Sequence, residues 1–243
     1  MTALREALIR DYAQHYARHN DKLGPIALAR AARDTLNATY GEIVTALAPE
    51  SEVLDLGCGS GYLLAWLSTR KSLRVVGVDS SQSQVLVSAK ELPGVRVECD
   101  DALAFLGRHR ARFAAVFCLD VLEHIGDDVI FEWLTAAHDA LVPGGYFICK
   151  VPNAANLTAS QLRYIDLTHV RSFTASSVEQ LIETAGFDEC RVLPVRSGHL
   201  SGSIRETVEW AAHKVIFRLC GDSRESIFTR TLVGVGRKRR AAA

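Results

Sequence analysis

The sequence predicts an α/β fold with a doubly wound, mostly parallel sheet. Two observations carry this expectation. From residue 52 onward, short apolar runs alternate with stretches whose apolar residues recur at helical spacing. The first of these runs ends in three alternate glycines, Gly57, Gly59 and Gly61, directly ahead of a helical pattern. Strands separated by helices imply right-handed crossovers and parallel pairing.

Taken in order, residues 3–19 and 26–47 read as two helices punctuated by Gly24-Pro25, a helical cap over 1–48 ahead of a main domain over 49–240. Strands are expected near 52–56, 74–78, 95–99, 113–119 and 145–150, with helices near 62–69, 81–91, 101–109 and 128–140. Residues 152–174 are polar and irregular, a candidate substrate loop. A helix over 175–185 stops at Gly186, and a sixth strand follows near 187–196. A helix over 203–220 is inserted before a last strand at 226–236. It gates an acceptor, dimerises or touches lipid, with packing as the plainer alternative. The basic tail from Arg237 to Arg240 reads as a solvated terminus.

Composition narrows the function. The 28 basic residues balance the 28 acidic ones over 243 residues, so there is no broad positive field to hold a nucleic-acid backbone. The six cysteines lie far apart without a C-x-x-C pair, which suggests neither a zinc knuckle nor a redox motif and fits a reducing cytoplasm. No apolar stretch approaches the length of a membrane span, and the first residues are amphipathic rather than leader-like. A cytoplasmic protein without stable membrane insertion is expected.

The glycine loop, Asp55 to Gly61, lets a ligand touch the main chain at a helix N-terminus, a geometry suited to a phosphate or a carboxylate. A dinucleotide fingerprint would place a small residue where Tyr62 stands. Asp55 would repel a pyrophosphate but could bind the ammonium of an amino-acid cofactor. Both features favour S-adenosylmethionine (SAM) over a nicotinamide. Asp79, ending the second strand, can accept from two ribose hydroxyls. Of Asp100 and Asp101, one could meet the adenine amine, with the Ala102 N–H on a ring nitrogen. Asp101 is favoured, although both can simply cap a helix.

The motifs DLGCGSG, GVD, CDDA, FCLDVLEHI and LVPGGYFICKVPN, in that order over about 50–195, resemble the class I SAM-dependent methyltransferases. The resemblance implies a Rossmann-like seven-stranded sheet with the last strand antiparallel, and SAM across the ends of the first two strands, leaving as S-adenosylhomocysteine. Cofactor contacts would come from Asp55, Gly57, Cys58, Gly59, Gly61, Asp79, Ser80, Asp101, Ala102 and Leu119, and the end of the fourth strand, Cys118 to Asp120, would flank the methyl group. RYIDLTHVRSFTASSVEQLIETAGF and the C-terminal IFTRTLVGVGRK further resemble bacterial methyltransferases of surface polysaccharide and lipopolysaccharide pathways.

The SAM methyl carries its own leaving group, so the remaining task is to make the acceptor nucleophilic. For a hydroxyl, a base or a metal must take the proton. The candidates are Asp120, Glu123, His124, Asp166 and His169. His169 is the expected base, with Asp166 three residues earlier to orient it, while Asp166 and His169 as a turn and a cap remain the structural alternative. His124 either joins the chemistry or packs beside the cofactor. Asp120, Asp166 and Glu123 are hard oxygen ligands for a divalent metal, but no dense carboxylate spacing appears, so a metal is the less favoured option and none is assigned. The expected acceptor is a small molecule or glycan, probed as a sugar hydroxyl first and as a phenol or quinone second. A non-catalytic SAM-binding partner protein is the alternative from another class, and a homodimer is compatible with either. Tyr12, His15, Tyr16 and His19 share one helix face, read as packing or as a lid.

Overall fold

The computed structural model describes residues 23–70, 72–222 and 224–240. Seven strands form one sheet: β1 (Glu52–Leu56), β2 (Arg74–Asp79), β3 (Arg96–Cys99), β4 (Phe113–Leu119), β5 (Leu141–Pro152), β6 (Asp188–Pro194) and β7 (Thr231–Arg237), in the order β3-β2-β1-β4-β5-β7-β6. Only β7 is reversed, pairing antiparallel with β5 and β6. The predicted fold class is therefore the observed one.

Helices cover both faces. α1 (Pro25–Ala31), α2 (Arg33–Thr45), α3 (Tyr62–Ser68) and α4 (Gln82–Glu91) come early in the chain. α5 (Ala102–Gly107), α6 (Ile130–Ala140), the short α7 (Ser160–Tyr164), α8 (Ala175–Thr184) and α9 (Leu200–Leu219) follow. One buried cluster joins Leu36, Tyr40 and Ile43 of α2 and Leu63 to Leu67 of α3 to Val53, Ala115 and Phe117 of the sheet. The other joins Phe105, Trp133, Leu134, Val178 and Ile182 to Leu54, Val116 and Phe147. Successive strand residues point to opposite faces, which is why Leu54 and Val53 fall in different clusters. Near-continuous burial along β1 and β4 is what a parallel sheet covered on both sides requires.

Several boundaries differ from the sequence expectation. The single helix expected over 26–47 is two, because Ala32 takes a bridge-region conformation (φ −87°, ψ 0°) between α1 and α2. These helices share the core with α3, so the described part of the N-terminal region packs as part of the main body. The first predicted helix and its Tyr and His stripe lie outside the described residues. β5 starts at Leu141, ahead of Gly144, with a register irregularity opposite Ala114. The last strand starts at Thr231 rather than 226, because residues 227–229 offer their carbonyls to asparagine side chains instead of a neighbouring strand. Asn153 Nδ2 donates to the Ile227 and Thr229 carbonyls, and Asn156 Nδ2 to that of Phe228. The basic tail is also not simply solvated. Arg237 pairs with Glu189 and Arg239 with Asp188, while Lys238 Nζ donates to the carbonyls of His138 and Leu141 where α6 ends.

α9 does stand between β6 and β7, as expected. Among the described residues no helix is long and apolar enough to cross a membrane, and all six cysteines are free thiols.

Candidate active site

The chain leaves β3 at one edge and returns to β4 on the other side of β1, so a crevice opens at the carboxyl ends of β1 and β4. Everything expected of the cofactor loop stands at that edge. Gly57, Gly59 and Gly61 have φ of 77°, 51° and 93°, the left-handed region where glycine carries no side-chain penalty. They do different jobs. A Cβ on Gly57 would fall 2.4 Å from Val121, and one on Gly61 would fall 2.3 Å from the Ser88 hydroxyl, so these two allow close packing. A Cβ on Gly59 would meet nothing within 4 Å. Its open face is the surface on which a ligand can rest against the main chain.

Two carboxyl groups flank this face. Asp79 accepts from the Gly59 amide through Oδ2 and from the Ser81 amide through Oδ1, each at 2.8 Å. That fixes its plane and leaves a lone pair on each oxygen for a ribose hydroxyl. Burial nevertheless raises its pKa, against the pull of those two amides. Asp55 is 3% exposed, and burial, with the Asp79 charge added, pushes it up to about 8. A carboxyl in that state gains most from a ligand that brings a cation, such as an α-ammonium group. Cys58 is buried and Leu119 ends β4 beside the loop, while Ser80 is exposed. Asp101 is the N-cap of α5, its Oδ1 accepting from the Ala104 amide at 3.0 Å. Asp100 accepts from the Asp101 amide and pairs with Arg108. Both thus have the capping and turn roles that Asp favours, and Ala102 opens the helix.

The second half of the site lies at the ends of β4 and β5. Asp120 follows β4 with φ 58°, an uncommon conformation for a residue with a side chain, and its amide donates to the Lys150 carbonyl at 3.0 Å. Its carboxylate pairs with Lys150 Nζ at 2.6 Å. The Lys150 ammonium is held charged by Asp120, with Tyr62 and Tyr40 adding to that, in opposition to its burial. Lys150 was not singled out in the sequence. The only available signal was a lysine in the apolar run YFICKVP, which is anomalous for a strand covered on both faces.

A one-turn helix at Leu122–His124 then brings Glu123 and His124 against the 166–170 loop. The Val170 amide donates to the Glu123 carbonyl at 2.8 Å. His124 Nδ1 lies 2.7 Å from Thr168 Oγ1, which itself donates to Asp166 Oδ1 at 2.7 Å. Since the single hydroxyl proton goes to Asp166, His124 is the donor to Thr168. His169 Nδ1 lies 2.8 Å from the Leu162 carbonyl, which can only accept. The two imidazole rings meet edge-on with centroids 4.6 Å apart. Here the sequence reading needs one correction: Asp166 orients His124 through Thr168, and His169 is oriented by a main-chain carbonyl. The reason is local, because the turn at 166–168 folds the Asp166 carboxylate onto the Thr168 amide and hydroxyl. Burial raises the Asp166 pKa, but the Thr168 bonds and the two imidazoles outweigh it and hold the carboxylate low. Glu123 is 1% exposed, and burial with the Asp120 charge raises it to about 8.

The predicted residues thus form two groups at one sheet edge, a cofactor loop and a polar cluster, with the Asp120–Lys150 pair between them. A family model described as a methyltransferase domain matches residues 27–190. The chain belongs to that methyltransferase family.

Among relatives, it is 31% identical over 137 residues to a probable S-adenosylmethionine-dependent methyltransferase of Mycolicibacterium smegmatis, covering 56% of this chain and 52% of that one. It is 31% identical over 139 residues to a ubiquinone biosynthesis O-methyltransferase of Dinoroseobacter shibae, covering 54% and 53%. The chain spans about half the length of the curated relatives it matches. Its fold is that of a SAM-dependent methyltransferase from Archaeoglobus fulgidus, with a TM-score of 0.65 at 18% identity over 93% of this chain and 99% of that one.

Proposed function

We propose that this methyltransferase transfers a methyl group from SAM to a hydroxyl of a polar acceptor, a sugar or glycan first. One observation carries the reading. The open face of Gly59 and the buried carboxyl of Asp55 stand at the same sheet edge as a cluster of polar groups, Asp120, Lys150, Glu123, His124 and His169.

The residues fit SAM. Asp55 takes the ammonium, Asp79 the ribose hydroxyls, and the Gly57–Gly61 main chain the carboxylate end. SAM supplies an electrophilic methyl group on a sulfonium. The acceptor oxygen attacks the methyl carbon in line as the carbon–sulfur bond breaks, its electron pair returning to sulfur to give S-adenosylhomocysteine. The hydroxyl proton leaves toward His169, whose Nδ1 proton is committed to Leu162 and whose lone pair is therefore on Nε2. Asp120 and Lys150 contribute hydrogen-bonding capacity for a polyhydroxylated acceptor.

A phenolic acceptor is the second reading, favoured by the ubiquinone O-methyltransferase among the relatives. The polar lining supports the sugar, as an aromatic lining would support the phenol. The test incubates the protein with methyl-labelled SAM and a panel of nucleotide sugars, glycan termini and phenols. Label on a sugar hydroxyl is expected, and label on phenols alone would overturn the acceptor assignment. A chain that binds SAM but labels nothing across the panel would instead favour the non-catalytic partner.

A further inference from the structure

We infer that Glu123, His124 and His169 form a binding site for a divalent first-row metal ion of the Mn2+, Fe2+, Co2+ or Zn2+ kind. The inference goes against the sequence reading, in which a metal is the less favoured option. It deepens the proposed function, resting on it only for the catalytic consequence.

One ligand atom from each of the three residues lies within 4.8 Å of the other two. Bonds of about 2.0–2.2 Å to a central ion place its ligands at most about 4.4 Å apart, so small rotations of these side chains would close the site. Proximity alone would mean little, but two independent observations point to a ligand. The first is Glu123 Oε2, buried without a hydrogen-bond partner among the described residues, in a side chain that is 1% exposed. A buried carboxylate oxygen without a partner is destabilising, and a bound cation removes that cost.

The second is the support behind each imidazole. Metal-binding histidines characteristically donate their other ring N–H to a carbonyl or carboxylate, which fixes the ring and the tautomer. His169 donates Nδ1–H to the Leu162 carbonyl, and His124 donates Nδ1–H to Thr168, which hands its own proton to Asp166. Both bonds put the lone pair on Nε2, the form that coordinates a metal. The two segments are further tied by the Val170 to Glu123 main-chain bond, so the three donors are positioned before any ion arrives.

Two imidazoles and one carboxylate leave coordination positions open, the arrangement of sites that bind substrate rather than only stabilise a fold. The donor chemistry selects the ion class, since imidazole nitrogen suits transition metals better than Mg2+ or Ca2+. An acceptor hydroxyl occupying an open position would have its pKa lowered and release its proton to water. His169 then acts as ligand, and the ion takes over the activation assigned to it above.

The experiment uses the full chain stripped with chelator and titrated calorimetrically with Mn2+, Co2+ and Zn2+ separately. Nitrogen coupling to bound Mn2+ is read by pulsed electron paramagnetic resonance. We expect one ion per chain, imidazole nitrogen coupling, and affinity weakened tenfold or more in His169→Ala and in Glu123→Gln. Retained SAM affinity in each variant serves as the check on folding. His169 is half-exposed and in a loop, so its variant keeps the test available if the buried Glu123→Gln fails to fold. Absence of tight binding, absence of nitrogen coupling, or binding unchanged by His169→Ala overturns the site. The two readings fail separately. Full hydroxyl methylation by chelator-stripped protein refutes the catalytic role of the ion but keeps the acceptor class. A metal site in a protein that methylates only phenols keeps the ion and refutes the sugar.

Discussion

Replacing Asp55 by Asn should make the cofactor-free protein more stable and the cofactor site worse, and both effects should depend on pH. Burial and the neighbouring Asp79 charge raise Asp55 from 3.8 to about 8. In the unfolded chain this carboxyl ionises near its ordinary value. Between those two values the folded state binds the extra proton, so stability falls as pH rises through the window and levels off above about 8. At about 1.36 kcal/mol per unit, the ceiling at pH 7 is roughly 4 kcal/mol. An asparagine still buries a polar amide, so about half of that is the expected net gain, or roughly 4–8 °C in Tm for a domain of this size.

The assay is thermal unfolding of both proteins without cofactor from pH 5 to 9. The advantage of Asp55→Asn should grow with pH up to about 8 and then stay constant. For the native protein, binding a cationic cofactor below pH 8 should release a proton from Asp55, so calorimetry in buffers of different ionisation enthalpy should detect proton release at pH 7. The variant should bind SAM about ten- to a hundredfold more weakly, the range of a lost charged hydrogen bond. A variant whose stability difference is the same at pH 5 and pH 8, or cofactor binding without proton release, would refute the reasoning.

Substitutions at four loop and core positions separate packing from binding. Gly61→Ala should destabilise the fold by about 1–3 kcal/mol, because its Cβ meets the Ser88 hydroxyl at a positive φ, whereas Gly59→Ala should cost less stability and more cofactor affinity, since it faces open space. Equal losses of SAM affinity per unit of lost stability in the two variants would contradict this division. Lys150→Met removes the ion that holds Asp120 and should lower kcat at least tenfold with the fold intact by circular dichroism; an unchanged kcat would make the pair structural. Asn153→Ala should cost about 2–3 kcal/mol in urea unfolding, because it leaves the Ile227 and Thr229 carbonyls and the Ala155 amide without their partner in a fully buried position. A loss under 1 kcal/mol would mean the 227–229 segment is held by other contacts.

The fold was readable because the central strands β1 and β4 are covered on both faces and read as nearly unbroken apolar runs, with glycines at the turn that opens the first crossover. The placement of Asp55, the glycines and Asp79 was equally readable, since they lie within 25 positions around the carboxyl ends of β1 and β2. The polar half was only partly so. Asp120, Glu123 and His124 share one local stretch, but whether Asp166 serves His169 or His124 depends on how the 166–168 turn folds, which the pattern of residue types does not encode. Lys150 was hidden for a different reason. Its charge is balanced by Asp120, thirty positions earlier, and only the β4–β5 register, which sets Leu119 opposite Lys150, brings them together.

Tyr62 shows how one residue carries both kinds of information. In the sequence its size disfavours a dinucleotide, because the close helix contact of such a site needs a small residue there. In the structure it opens α3 and interacts with Lys150, Asp120 and Asp55, burial being the main force that raises its hydroxyl. Close packing against α4 is left to Gly61, one position earlier. The loop therefore uses the shift of the small residue to bring an aromatic hydroxyl to the Asp120–Lys150 pair. With Tyr40 of α2 also interacting with Lys150, that ammonium is partnered by one carboxylate and faces two phenols. Its three N–H donors are shared among these neighbours, so an incoming acceptor competes with them, Asp120 included, for the ammonium. In that case Asp120→Asn should alter the acceptor KM more than SAM affinity, and equal changes in both would place the pair on the cofactor side of the site.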